Sequence, residues 1–296
     1  MGEIARSAAH HRIHATHIGR PDYPPLLESC PDPPAVLFWR GDISMLSDLP
    51  CVAVIGSRRC SIYGRRMARR IAGGLASVGA CVVSGMARGI DGESHAGALA
   101  AGGATAAVLG SGPDVLYPKG NAPLGREIAS SGCVLSEYPP GTAPKRFRFP
   151  ERNRIISGLS LGLVVVEAGA RSGTMITVGT SLDQGREVMT VPGDATRTTS
   201  VGSNRLLREG AAPVTSAEEV LEVLGLSVLP PTSQSAPADR SKLAESILAI
   251  LDSGPAHLDE MARATGAAIP RLREELLRLE LAGAIIHRPG GIYARV

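Results

Sequence analysis

Between Pro50 and Val191 the sequence repeats one pattern: a short, mostly apolar run followed by a longer amphipathic stretch. The apolar runs are residues 51–55, 80–84, 104–109, 133–136, 161–167 and 187–191. Helix-like segments lie near 63–78, 92–101, 123–131, 151–159, 176–184 and 202–209. A strand apolar on both faces has no side to offer to water, so helices must cover it above and below. The alternation therefore predicts an α/β domain with a doubly wound, mostly parallel sheet. With only one Trp, five Tyr and three Phe, the core must be filled by Ala, Val, Leu and Ile.

The pattern stops near residue 226. Residues 227–239 (SVLPPTSQSAPAD) are rich in Pro, Ser and Ala without apolar periodicity and read as a linker. Beyond it, residues 240–296 carry helical periodicity at 242–251, 258–265 and 270–283, then two short strands at 285–288 and 292–295 around a Pro-Gly-Gly turn. Three helices and a hairpin predict a small winged-helix domain. The expected organisation is a flexible tail over 1–16, a large domain over 17–226, the linker and the winged helix. His10, His11, His14 and His17 then belong to a frayed tail rather than a metal site.

Charge and cysteine content narrow the class. Thirty-one Lys and Arg against 28 Asp and Glu give a formal charge of +3, too small to announce a nucleic-acid partner without local clustering. The five cysteines form no CxxC pair and read as reduced thiols, which fits a cytoplasmic protein. The N-terminus lacks the apolar stretch of a signal peptide. The uncharged run 96–113 is broken by Gly102-Gly103, so it reads as helix, turn and strand, not a membrane span.

In an open parallel sheet, ligands bind beyond the carboxyl ends of the strands. The first such loop holds Gly56, Ser57 and Arg58. It is either a strand-to-helix turn with solvated arginines or a phosphate site, with backbone amides at the helix N-terminus and a bidentate guanidinium. GxGxxG is absent, against a dinucleotide cofactor; no cofactor or metal is expected. The second loop supplies Arg88 and leads to Asp91, Glu93 and His95. No partner ligands stand at characteristic spacing, so a structural role for these three is the expectation. A later loop carries Ser172, Gly173 and Thr174 before the next helix, again suited to an anion. Arg65, Arg66, Arg69 and Arg70 place like charges at i, i+4, which a polyanion would offset and a solvated face would tolerate.

The densest local signal is residues 144–154, PKRFRFPERNR, with five cations, one acid and two of the three Phe residues. Alternating guanidinium groups and rings suit single-stranded nucleic acid, where cations hold phosphates and rings stack on unpaired bases. The competing reading makes Phe147 and Phe149 core anchors flanked by solvated arginines.

The segments VAVIGSRRCSIYG, SGMARGIDGESHAGAL, LGSGPDVLYPKGN, FPERNRIISGLS, SGTMITVGTSLDQGREVMTVPG and GSNRLLREGA, in this order, resemble the bacterial DNA-processing protein A family (DprA, also called Smf). The likeness runs from about Tyr23 to Val214. It implies an extended Rossmann-like domain that binds single-stranded DNA without strong sequence preference, forms homodimers, and helps load RecA during natural transformation. It gives Arg58 and Arg146 phosphate contacts and Phe149 a stacking role. Lys145, Arg152, Asn153 and Arg154 are the neighbouring candidates, and no catalytic residue is implied. The small helical module that begins many members has no counterpart in the sixteen or so residues before the likeness starts. The winged helix matches at 258–261 and 279–283, yet residues 239–296 carry eight cations and eight acids, a poor polyanion surface that suits protein contact or regulation. The enzyme alternative resembles the lysine-decarboxylase-like (LOG) phosphoribohydrolases. There, however, Gly169, Ala170 and Arg171 replace Pro-Gly-Gly, and Thr177 stands where the catalytic glutamate would be.

Overall fold

The structure is a computed structural model that describes residues 12–170, 172–226, 242–252, 254–267, 269–281, 284–288 and 292–295. The expected linker, the Pro-Gly-Gly turn, Arg171 and most of the expected tail lie outside the described residues. The chain divides into two compact units, Met1–Pro231 and Thr232–Val296. Among the described residues no helix is long and apolar enough to cross a membrane.

In the first unit, strands β1 (His14–His17), β2 (Val36–Gly41), β3 (Cys51–Ile55), β4 (Cys81–Ser84), β5 (Thr105–Val108), β6 (Cys133–Ser136), β7 (Gly162–Val165), β8 (Glu187–Thr190) and β9 (Ala212–Pro213) form one sheet. Their order is β1-β2-β6-β5-β4-β3-β7-β8-β9. Pairings from β6 through β9 are parallel, while β1 and β2 add an antiparallel edge. The Rossmann-like reading thus holds, with one correction. His14 and His17, read as part of a frayed tail, belong with Ala15 and Thr16 to β1, which pairs against Val36 to Trp39. Only Thr16 of that strand is buried, so three polar residues and an alanine carried no strand signal.

Alternate side chains of the parallel strands feed two cores. Ala53, Ile55, Val83 and Leu163 pack on one face, and Val52, Val54, Val82 and Val164 on the other. Helices α1 (Pro25–Glu28), α2 (Met45–Asp48), α3 (Ile62–Ser77), α4 (Ile90–Ala100), α5 (Ala122–Ser131), α6 (Arg148–Gly158), α7 (Thr174–Asp183), α8 (Val201–Arg208) and α9 (Ala217–Val223) cover them. A core poor in rings is closed by near contact of backbones: a Cβ on Gly97 of α4 would lie 2.6 Å from the Arg69 carbonyl of α3. Because β3 neighbours both β4 and β7, the sheet has its switch point between β3 and β7, the place where open α/β sheets bind ligands.

The second unit packs α10 (Lys242–Asp252), α11 (Leu258–Thr265) and α12 (Ile269–Leu281) on a small sheet of β10 (Ala256–His257), β11 (Ile285–Arg288) and β12 (Ile292–Arg295). Ile247, Leu251, Met261, Leu272, Leu276 and Ile285 form its core. His257 caps α11: its ring accepts from the Asp259 amide, and Glu260 accepts from the His257 amide.

Two buried polar residues set the interior of the first unit. His95 is fully buried; its Nδ1 donates to Thr105 Oγ1 at 2.7 Å, and that hydroxyl donates to the Val82 carbonyl. Burial, with a smaller contribution from the positive charge of Arg152, pulls its pKa to about 3. Glu93 pairs instead with Arg69 at 2.5 Å. Arg152, 4% exposed, donates through Nη1 to the carbonyls of Gly85 (2.7 Å) and Val108, joining α6 to the loop after β4 and to the end of β5. Burial lowers its pKa to about 10, opposed by Asp91, so it stays charged at neutral pH.

Two outcomes are expected. Because folded His95 refuses a proton that the unfolded chain binds near pH 6.5, its contribution is complete above that pH and is lost progressively toward pH 3. The slope is up to about 1.4 kcal/mol per pH unit. Urea unfolding of His95→Gln should therefore depend less on pH below 6.5. Arg152→Ala strands two buried carbonyls and should lower unfolding free energy by about 3–5 kcal/mol, read in the same urea titration. A surface DNA-contact arginine would leave it unchanged.

Candidate nucleic-acid interface

Three loops meet at the switch point. The loop after β3 is fixed by its backbone: Ser57 N–H donates to the Glu167 carbonyl at 2.7 Å, and Ser57 O accepts from Ile90 N–H at 3.2 Å. Gly56 has no room for a side chain, since a Cβ would lie 2.7 Å from Ile90 Cγ1 and 2.8 Å from the Glu167 oxygen. This packing turns Arg58 and Arg59 to solvent.

The helix that follows does not offer the anion site expected from the sequence. Ser61 caps α3 by accepting from Gly64 N–H at 3.0 Å. The buried Glu167 carboxylate accepts from Ser61 N–H at 2.8 Å and from Ser61 Oγ at 3.0 Å. An internal carboxylate already occupies the positive end of the helix, so anion contact in this loop falls to the arginines.

The 144–154 segment divides into a loop over 144–147 and the first turns of α6, where helix phase sorts the side chains. Arg146 is exposed and lines the cavity at the switch point; Lys145 is exposed but stands outside that lining. Phe149 is half-buried. Its ring lies 5.5 Å from that of Tyr117, with the Arg58 guanidinium 5.4 Å and the Arg152 guanidinium 5.9 Å from its centroid. Phe147 is 55% exposed, so neither ring is a core anchor. Arg148 stacks on Tyr138 at 4.7 Å and donates to the Ala143 carbonyl.

Two expected contacts lie elsewhere. Arg152 faces inward because it shares the apolar stripe of α6 with Ile155, Ile156 and Leu159, a spacing visible in the sequence. Arg154 binds Glu137 at 2.5 Å and Asp32 at 2.8 Å, which leaves it ion-paired rather than free for phosphate. Asn153 lines the cavity and accepts from Arg152 Nε at 3.3 Å.

The loop after β7 supplies Ser172, Gly173 and Thr174. Ser172 Oγ accepts from Thr174 N–H at 3.2 Å and donates to Thr174 Oγ1 at 2.8 Å, shaping the first turn of α7. Arg88 is exposed on the loop before α4 and does not line the cavity.

These loops enclose about 770 Å³. The lining includes four arginines (Arg58, Arg59, Arg146 and Arg152) and a single carboxylate, Asp91. Phe149, Tyr117 and Ile176 supply apolar surface. Tyr117, 44% exposed, was missed in the sequence because a lone ring far from the basic run carries no pattern. Asp91 is 6% exposed; burial raises its pKa, while Arg152, the Ala87 and Gly56 amides and Arg58 oppose the rise. Among the described residues no group of three His, Cys, Asp or Glu side chains could hold a metal ion. Across α6 lies a second cavity of about 680 Å³ that carries Asp32, Glu137, Glu151 and Asp183 around the paired Arg154. Pro150 lines both cavities.

The family model for DNA recombination-mediator protein A matches residues 14–225, and that for the DprA winged helix domain matches residues 230–291. Protein Smf of Escherichia coli (strain K12) is 40% identical over 282 residues, 93% of this chain and 75% of its own length. DNA processing protein DprA of Streptococcus pneumoniae is 45% identical over 199 residues, 67% of this chain and 70% of its own. The X-ray structure of the Streptococcus pneumoniae DprA superposes with a TM-score of 0.70 at 41% identity, covering 75% of this chain and 78% of that one. DNA processing protein A from Helicobacter pylori, whose structure addresses its single-stranded DNA binding mode, superposes at 0.66 and 28% identity over 73% and 97%. Matched over residues 14–225 and 230–291, the chain belongs to the DNA recombination-mediator protein A (DprA/Smf) family.

Proposed function

We propose that the protein binds single-stranded DNA in the switch-point cavity, without strong sequence preference, and passes the strand to a RecA recombinase during natural transformation and recombination. It does so as a cytoplasmic homodimer. The observation that carries the reading is Phe149, a ring kept half-exposed among guanidinium groups where Arg58 and Arg146 line the same space. A ring can stack on any unpaired base, and arginines hold any phosphate, so the chemistry is tolerant of sequence. The Helicobacter pylori relative, with its single-strand binding mode, supports the same reading.

Binding rather than catalysis is the reading that suits these side chains. A phosphoribohydrolase would need a carboxylate where Thr177 stands, and a threonine hydroxyl cannot replace it as acid or base. The charge-balanced winged helix is assigned to protein contact or regulation, because it lacks the excess of cations that phosphate binding demands.

Salt-titrated binding to an oligo-dT strand tests the cavity. Arg58→Ala and Arg146→Ala should each weaken binding and flatten the slope of log affinity against log salt by about 0.7. Phe149→Ala should cost about 1–3 kcal/mol with that slope retained. The same variants should slow RecA filament growth on a strand precoated with single-strand-binding protein. Unchanged binding in all three would refute the cavity as the strand site. A chain ending at residue 226 should keep most of the single-strand affinity; near-total loss would assign the strand to the second unit instead.

A further inference from the structure

Asp91 has no obvious place in a phosphate site. It is a buried carboxylate in the wall of a cavity whose other charged groups are arginines. It accepts from Ala87 N–H on Oδ2 at 3.4 Å and is favoured by the Gly56 amide as well, while among the described residues no side chain donates to it. A carboxylate offers about four acceptor positions, so the two amides leave Asp91 room to accept from a ligand. Thr177 lines the same cavity. It is 3% exposed, and its hydroxyl has no hydrogen-bond partner among the described residues. Two buried polar groups thus open on one space, an acceptor and a hydroxyl able to donate. A ligand that fills the cavity displaces the solvent that reaches both groups and must replace its hydrogen bonds.

Phosphate would satisfy Thr177 but would be repelled by Asp91. An unpaired base satisfies both. On its Watson–Crick edge each of the four DNA bases carries at least one N–H donor next to an acceptor, and in a duplex these groups are already paired. We propose that Asp91 accepts from the Watson–Crick donor of one unstacked base while Thr177 donates to the neighbouring acceptor, making this pair the device that selects single strands over duplexes. The assignment rests on the single-strand reading above and adds a base-edge contact to its phosphate and stacking contacts. It also explains tolerance of sequence: the pair reads what all four bases share. A space of about 770 Å³ falls in the range that holds a small organic ligand, and the arginines remain for the phosphates.

The test uses two strands of equal length, oligo-dT and the same strand built from N3-methylthymidine. Methylation removes the only Watson–Crick donor of thymine and keeps every phosphate and ring face. At pH 7.5, fluorescence anisotropy of the full-length protein should show roughly tenfold weaker binding of the methylated strand, the size expected for one hydrogen bond to a charged group. Asp91→Ala should bind the two strands alike. Thr177→Val, which keeps the side-chain shape, should weaken binding of oligo-dT by roughly threefold and leave the methylated strand unchanged. Equal affinity of the natural protein for both strands would overturn the inference while leaving single-strand binding intact. A methylation penalty that persists undiminished in Asp91→Ala would also overturn it, because the methyl group would then act through bulk alone. Absence of binding to either strand would overturn both this inference and the reading it rests on.

Discussion

The guanidinium of Arg152 is the interaction on which the rest of the switch-point region depends. Parallel strands end with carbonyls and amides that need partners, and here the ends of β4 and β5 are joined through a side chain of α6 that donates to Gly85 and Val108. The positive charge is buried, and its proximity to Asp91 offsets part of the desolvation. Gly85 must lack a side chain because a Cβ would meet the guanidinium and lie 2.7 Å from Asp91 Oδ2. One buried cation therefore fixes a glycine, a carboxylate and the register of the helix that carries Phe149.

A second internal substitution shapes the chemistry. Parallel α/β folds commonly spend a helix N-terminus on a ligand phosphate. In this chain Glu167, at the end of β7, reaches back to Ser61 and fills that role for α3 from within. The positive potential left for a ligand comes from side chains rather than from aligned peptides. Guanidinium groups on exposed loops can follow a phosphate chain whose spacing varies, which a fixed ring of amides cannot.

The parallel strands were legible because a run apolar on both faces has one structural outcome; the expected ranges for β3 and β6 agree with the structure to the residue. The edge was not legible. β1 reads HATH, and a strand that buries one side chain looks like any polar segment. The basic run named the right segment, yet composition could not tell Arg146 from Arg152 or Arg154. Arg146 lies in the loop before α6, and helix phase separates the other two: only Arg152 lies on the stripe continued by Ile155 and Leu159. The partners of Arg154, Asp32 and Glu137, lie far away in sequence or on another loop, so no local pattern could announce that pair. Asp91 was assigned a structural role from its place near a helix start, and the cavity around it became visible only when the loops after β3, β4 and β7 were brought together.

The acidic cavity on the far side of α6 gives the surface a watershed. Pro150 stands on the divide, with arginines on one slope and Asp32, Glu137, Glu151 and Asp183 on the other. Repulsion between phosphates and these carboxylates acts within about one Debye length, near 8 Å at physiological ionic strength. A polyanion would meet rising electrostatic energy on crossing the helix toward these carboxylates, and lower energy along the loops that bear Arg58 and Arg59. On the proposed reading, the same helix that presents Phe149 to a strand would also keep that strand from the far side.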